Sequence, residues 1–427
     1  MTQYGFSDVW EVLKIRDYRN FLLSRIFATL ATQMEALIVS WQVYQMTKDP
    51  LALGLIGLVE AVVFIAFATW AGHYADRHEK RGIILVTQGL LLVCAIAFIL
   101  LTRWSGLTVH WLYAVVAMTG FARSYMWPAS FAYSELTVPR AIYSRAASLN
   151  ATGWEMSSIL GPALGGFIYA WRGPVVAYGA VFVLMAIAAF FTTRMGPVNP
   201  SPQPSPIGRG RSEAAGEGFM SGFHFVFSNP VILGAISLDM FAVLFGGVYA
   251  ILPISADRMG VGAKGLGWLR AAPSVGAIVM AIYQAYRPPF ERVGRTLLAA
   301  VTIFGLTVIA FALSGSFWIC LMILALSGMV DNISVVTRAS ILQAFTPDSM
   351  RGRVSSVNGI FIGSSNEIGA FESGLAAKLM GLTPSILFGG IMTLVTVALV
   401  GWKAPQLRSL RSLHKRSPPD VEDWPLK

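Results

Sequence analysis

Residues 72–81 read Gly-His-Tyr-Ala-Asp-Arg-His-Glu-Lys-Arg, and they separate two long apolar runs, Pro50–His73 and Gly82–Thr102. Five formal charges fall within these ten residues, whereas the two runs together contain only Glu60. Each run exceeds the roughly 20 residues that a helix needs to cross a bilayer. The stretch therefore reads as a membrane hairpin, one helix in and one helix back around a short charged connection. Extended strands are excluded, because an open sheet cannot satisfy its backbone in lipid and a barrel would alternate apolar and polar residues with period two.

The same pattern continues outward in both directions. Twelve apolar runs are expected as helices: Asn20–Met46, Pro50–His73, Gly82–Thr102, Leu107–Ser134, Ile142–Ala170, Pro174–Arg194, Phe227–Ser255, Gly262–Tyr286, Gly294–Ser314, Ser316–Ala344, Val354–Met380 and Leu382–Trp402. The composition agrees: 55% of the 427 residues are hydrophobic and only 13% charged, against roughly 25% charged in a soluble domain. Mean hydropathy is +0.62. The net charge of +10 then reads as topology and not as nucleic-acid binding. With the N-terminus inside, 22 of the 32 Lys and Arg residues fall on the inner side, 7 on the outer side, and Arg25, Arg123 and Arg338 within spans. That bias predicts an inner-membrane protein with both termini cytoplasmic. Phe6, Trp10 and Leu13, beside Asp8, Glu11 and Lys14, are compatible either with a short surface helix or with a frayed polar tail.

Ser201–Gly218 is rich in Pro, Gly and Ser and divides the chain into two halves. The expected organisation is a six-helix half over 1–194, a linker over 195–226, a second half over 227–402 and a basic tail over 403–427. A shift of 208 residues superposes Gly120 on Gly328, Pro139 on Pro347, Arg145 on Arg353, Ser148 on Ser356, Asn150 on Asn358 and Gly161 on Gly369. Both halves start inside, so the repeat is parallel, as in transporters that rock two halves around a central site. The fold expected is an all-α membrane protein of twelve helices in two parallel six-helix pseudo-repeats.

Two motifs sharpen this. The connection at 72–81 carries Gly72, Asp76, Arg77 and Arg81, and the fifth run carries Gly161, Pro162, Gly165 and Gly166. With twelve spans in two parallel halves, they resemble the major facilitator superfamily over nearly the whole chain, and the variant Asp-Arg-His-Glu-Lys-Arg is similar to its drug and siderophore exporter branch. Trp41-Gln42-Val43-Tyr44 and Pro347-Asp348-x-x-Arg351-Gly352-Arg353 carry the same likeness. The resemblance implies that Asp76 and its basic neighbours form a cytoplasmic gate. The corresponding loop of the second half has Arg287 where the first has Asp76, so any lock is asymmetric. The resemblance also implies that the Gly-Pro-x-x-Gly-Gly pattern marks an exporter, although Ser157 replaces its usual first glycine.

Ionisable side chains within spans cost about 2.5–3.5 kcal/mol on insertion scales and are functional candidates by default. Here they include Glu35, Glu60, Glu155, Asp239, Asp331, Glu367 and Glu372, with Arg123 and Arg338. Arg25 reads as a structural residue that snorkels from one end of its span. The 208-residue shift places Arg123 opposite Asp331, as a breakable or a static pair. Burial disfavours a charged carboxylate, so Glu35, Glu60, Glu155 and Asp239 are candidates to carry protons, Glu35 and Glu155 first because the resemblance puts spans one and five at the cavity. Trp41, Tyr125, Trp127, Trp154 and Trp268 can offer stacking surfaces.

The function expected is a secondary active transporter, not an enzyme, that moves a small amphipathic drug or siderophore outward by proton antiport. It works in the bilayer as a monomer, with no cofactor, metal or nucleic-acid partner. No phosphate-binding Gly-x-x-x-x-Gly-Lys-Ser/Thr loop is present to couple it to ATP. A proton-coupled importer of a nutrient or metal ion remains an alternative, as does a non-transporting sensor or membrane enzyme. The exporter-branch resemblance with Arg123 and Arg338 allows an anionic siderophore, whereas seven carboxylates against three arginines lean toward a cationic or neutral drug.

Overall fold

The computed structural model of the chain describes residues 11–139, 142–198, 214–287, 290–347 and 350–411. Among these residues the regular elements are helices, as a backbone without water requires. Span one is Arg16–Thr47, span two Pro50–Arg77, span three Lys80–Arg103 and span four Val109–Thr137. A single stretch, Tyr143–Thr193, holds spans five and six. It breaks at Gly173, whose φ of 79° is open to glycine at no steric cost. Span eight is Gly262–Ala285, nine Val293–Leu313, ten Phe317–Phe345, eleven Arg351–Met380 and twelve Leu382–Lys403. Nine helices among the described residues are long and apolar enough to cross a membrane, one of them being the double stretch. Spans four and eleven complete the twelve; they are less apolar because they carry Arg123 and Glu135, and Arg351, Arg353, Glu367, Glu372 and Lys378.

Three boundaries differ from the sequence expectation. Span two runs on to Arg77, so Gly72, Asp76 and Arg77 belong to its last two turns, and the loop proper is only His78 and Glu79. Span seven is interrupted: a helix over Pro230–Gly246 leaves its regular geometry at Gly247, passes through a 3₁₀ turn at Val248–Ile251 and resumes over Leu252–Arg258. Helix Ala214–Ser228 occupies the end of the stretch expected as linker. Two starts are set by local chemistry. Asp49 accepts from the Leu51 amide ahead of Pro50, and Asn229 accepts from the Val231 and Ile232 amides ahead of Pro230. Both pair a capping side chain with proline at the first helical position.

The chain divides into two compact units, Met1–Ser205 with Leu252–Ser274, and Pro206–Ile251 with Val275–Lys427. The end of span seven and the start of span eight thus pack with the first unit. In that unit Tyr18, Phe21 and Tyr133 anchor a cluster with Val12, Ile84 and Ala146. In the second, Leu238, Ala242, Leu297, Val301 and Leu407 form the corresponding core. The repeat is visible in contacts as well as in sequence. Arg145 pairs with Glu11, ahead of span one, at 2.7 Å, and its equivalent Arg353 donates to Ser221, ahead of span seven, at 3.2 Å. Of the surface helix considered at the N-terminus, Phe6, Asp8 and Trp10 lie outside the described residues.

Large apolar side chains cover the outside: Trp70, Trp318 and Trp402 are 75%, 70% and 75% exposed. Such a surface suits lipid. Lipid gives helices no hydrophobic reason to associate, so small residues and hydrogen bonds must hold them. One relay links spans one, three and six: Gln88 Nε2 donates to Ser24 Oγ at 2.9 Å, and Ser24 Oγ lies 2.7 Å from Thr192 Oγ1. A second joins the same spans, with Tyr178 donating to Gln42 Oε1 at 2.8 Å and Gln42 Nε2 donating to Thr102 Oγ1 at 3.1 Å. Ser24→Ala removes both links of the first relay and is expected to cost about 1 kcal/mol, read as a lowered unfolding temperature in detergent. An unchanged unfolding temperature would remove the relay from the list of stabilising contacts.

Candidate functional site

Residues of spans one, three, four and five of the first unit line a cavity of about 60 Å³. Helical spacing aligns its polar wall. Arg25, Thr29 and Thr32 share one face of span one, as do Arg123 and Trp127 on span four, because residues three or four apart are neighbours on a helix. Trp154 comes from span five. The Arg25 guanidinium lies 5.7 Å from the Trp127 ring centroid. Trp127 and Trp154 meet edge to face at 5.9 Å. Arg25 thus lines the cavity, and its buried Nε has no hydrogen-bond partner among the described residues.

The other charges are arranged in pairs. Arg123 forms an ion pair with Glu60 of the adjacent span two, a partner that its equivalence with Asp331 did not suggest. In the second unit Arg338 forms a deeply buried ion pair with Asp239. Asp239 and Asp331 line a smaller cavity there of about 10 Å³. Glu35 is 7% exposed, and its Oε2 finds no partner among the described residues. Glu155 is half-buried on span five. Of the aromatic candidates, Trp127 and Trp154 reach the cavity. Trp41 is buried against Tyr44, and Tyr125 packs edge to face on Tyr74.

The span-five motif is a three-helix crossing. A Cβ on Gly161 would come within 2.7 Å of Gln33 Cβ, and one on Gly165 within 2.9 Å of Met34 Cγ, both on span one. Gly166 and Pro162 face span eight instead. A Cβ on Gly166 would collide with the Ala263 carbonyl, and one on Gly267 would stand 2.6 Å from the Pro162 carbonyl. Ser157, in place of the usual first glycine, donates to the Gly153 carbonyl at 2.8 Å and the Ile26 carbonyl at 3.1 Å, so its hydroxyl joins the contact with span one. At the end of span two, the Asp76 and Arg77 side chains are exposed, a Cβ on Gly72 would meet open space, and Arg81 donates to the Thr193 carbonyl at 3.1 Å.

One cluster escaped the sequence reading. Lys48 Nζ lies 2.9 Å from Asp257 Oδ2, and Tyr44 donates to the same oxygen at 3.1 Å. These contacts fasten the end of span one to the resumed part of span seven. The residues are 209 positions apart, and Lys48 takes a left-handed φ of 50° beyond the helix, so no local pattern announced the contact.

The family model of the Major Facilitator Superfamily matches residues 21–370. The enterobactin exporter EntS of Shigella boydii serotype 18 is 25% identical over 413 residues, covering 95% of this chain and 94% of that protein. EntS of Escherichia coli O1:K1 / APEC is similar to the same extent. Among solved structures, a POT family transporter in complex with 5-aminolevulinic acid shares the fold with a TM-score of 0.71 at 12% identity, covering 92% of this chain and 96% of that one. A bacterial homolog of the human lysosomal transporter Spinster shares it with a TM-score of 0.61 at 15% identity, covering 97% and 100%.

The crossing makes a direct prediction. Gly166→Ala should lower the unfolding temperature clearly, because overpacking typically costs about 1–3 kcal/mol. Gly179→Ala, whose Cβ meets nothing within 4 Å, should not lower it. Equal behaviour of the two variants in a detergent melt would refute the crossing as a tight contact.

Proposed function

The chain belongs to the major facilitator superfamily of membrane transporters, which are not enzymes, and from that premise we propose that it exports a small amphipathic molecule, a drug or siderophore, by alternating access coupled to proton entry. The observation that carries the direction is the similarity to enterobactin exporters over 95% of the chain. The packing of Gly161, Gly165 and Gly166 agrees with it. In this reading the protein lies in the inner membrane as a monomer with both termini cytoplasmic. Asp76 and Arg77, with Gly72 and Arg81 around them, form the cytoplasmic gate.

Glu35 is the first choice for the proton-coupling group. Its carboxyl is buried with an oxygen lacking a partner among the described residues, so it is the acid that gains most from losing its charge. Glu155 is the second, since it lies half-buried on span five, the helix whose glycines cross spans one and eight. Glu60, Arg123, Asp239 and Arg338 balance one another in ion pairs within their units and hold the spans together. Asp331 faces the second cavity and is assigned to substrate or coupling.

Everted vesicles from cells lacking their own exporters test this reading. With an acidic interior, they should accumulate added enterobactin, and a protonophore should abolish the accumulation. Uptake confined to right-side-out vesicles would instead establish an importer. Glu35→Gln should uncouple accumulation from the pH gradient while leaving exchange of substrate across the membrane intact. Retention of full proton-driven accumulation by this variant would exclude Glu35 as the coupling group. Asp76→Asn should cut accumulation at least tenfold with the protein still in the membrane, and near-normal accumulation by purified, reconstituted mutant would remove Asp76 from the gate.

A further inference from the structure

We propose that the first-unit cavity selects aromatic anions, with Arg25 as the countercharge and Trp127 and Trp154 as the wall against which the ring packs. This deepens the exporter reading by naming the substrate class. Counting charges in the spans leaves that class open; their placement does not. No carboxylate lines the cavity, whereas Arg25 and Arg123 both do. Arg123 is balanced by Glu60. Arg25 has no carboxylate partner among the described residues, and its Nε is buried without a hydrogen bond. A guanidinium so placed is costly in a membrane, and an anionic ligand relieves that cost through charge-assisted hydrogen bonds in a fork geometry.

The ring preference comes from the same few residues. Trp127 is 54% and Trp154 37% exposed, although both lie on spans whose buried faces are well packed. Their edge-to-face arrangement leaves ring surface open to the cavity. The Arg25 guanidinium sits over Trp127, so an anion reaching Arg25 brings its attached ring beside the two indoles. Thr29 and Thr32, on the same face of span one, offer hydroxyls to polar ring substituents. A cationic drug would meet Arg25 with like charge and no balancing carboxylate in the wall.

The test uses the full chain in lipid nanodiscs, with empty nanodiscs subtracted, and three ligands of one shape: 2-naphthoate, 2-naphthamide and 2-naphthylmethylammonium. Calorimetric titration should show 2-naphthoate binding at least tenfold tighter than the amide, and the ammonium weakest. Arg25→Gln should remove the tenfold preference for naphthoate while leaving amide binding in place, and Arg25→Lys should retain part of the preference. Trp154→Leu should weaken naphthoate and amide together. Size-exclusion profiles show that all the variants are folded, and the retained amide binding shows it again for Arg25→Gln. The assignment is overturned if the ammonium binds best, if naphthoate does not bind, or if Arg25→Gln keeps the wild-type preference. Because binding is read without any gradient, these outcomes are separate from vesicle accumulation, which alone decides between export and import.

Discussion

Inside a bilayer, a backbone N–H or C=O has no water to turn to, and leaving it unsatisfied costs several kcal/mol. This constraint makes every span of the protein a helix, and it also governs the exceptions. The break at Gly173, the interruption of span seven at Gly247 and the turn at Gly381 all fall at glycines, the first and last of them between spans and the second within one. With the backbone satisfied within each helix, association depends on close approach. Gly161, Gly165, Gly166 and Gly267 let span five meet spans one and eight backbone to backbone. Side-chain relays such as Gln88–Ser24–Thr192 supply the polar contacts that lipid cannot.

The same lack of water sorts the ionisable groups into two populations. Glu60 with Arg123, and Asp239 with Arg338, cancel each other across neighbouring helices. Breaking such a pair is costly because the remaining charge is stranded, so these residues are poor choices for groups that must change state alone. Arg25 and Glu35 form the other population. Each keeps a buried polar atom without a partner among the described residues, one cationic beside an aromatic cavity and one acidic in the packed interior. A transporter needs such incomplete sites, since a fully compensated charge has little to gain from either a substrate or a proton.

Sequence by itself determined the twelve spans, their helical nature, the parallel repeat and the family. These follow from local or periodic information: runs of about 20 apolar residues, charge asymmetry between loops, and matched glycine, proline and arginine positions at a fixed shift. Arg145 and Arg353 show how far that reaches, for their equivalence in sequence returns as equivalent contacts with Glu11 and Ser221. The motif glycines were legible as a packing signal for the same reason. Tertiary structure alone decided which charges are balanced and which face the cavity. That Arg25 lines the cavity was not legible along the chain, because which face of span one is covered depends on spans four and five. The partners Glu60 for Arg123, and Asp257 for Lys48 and Tyr44, lie 63, 209 and 213 residues away. Coulombic attraction depends on distance in space, and no spacing rule along the chain carries that distance.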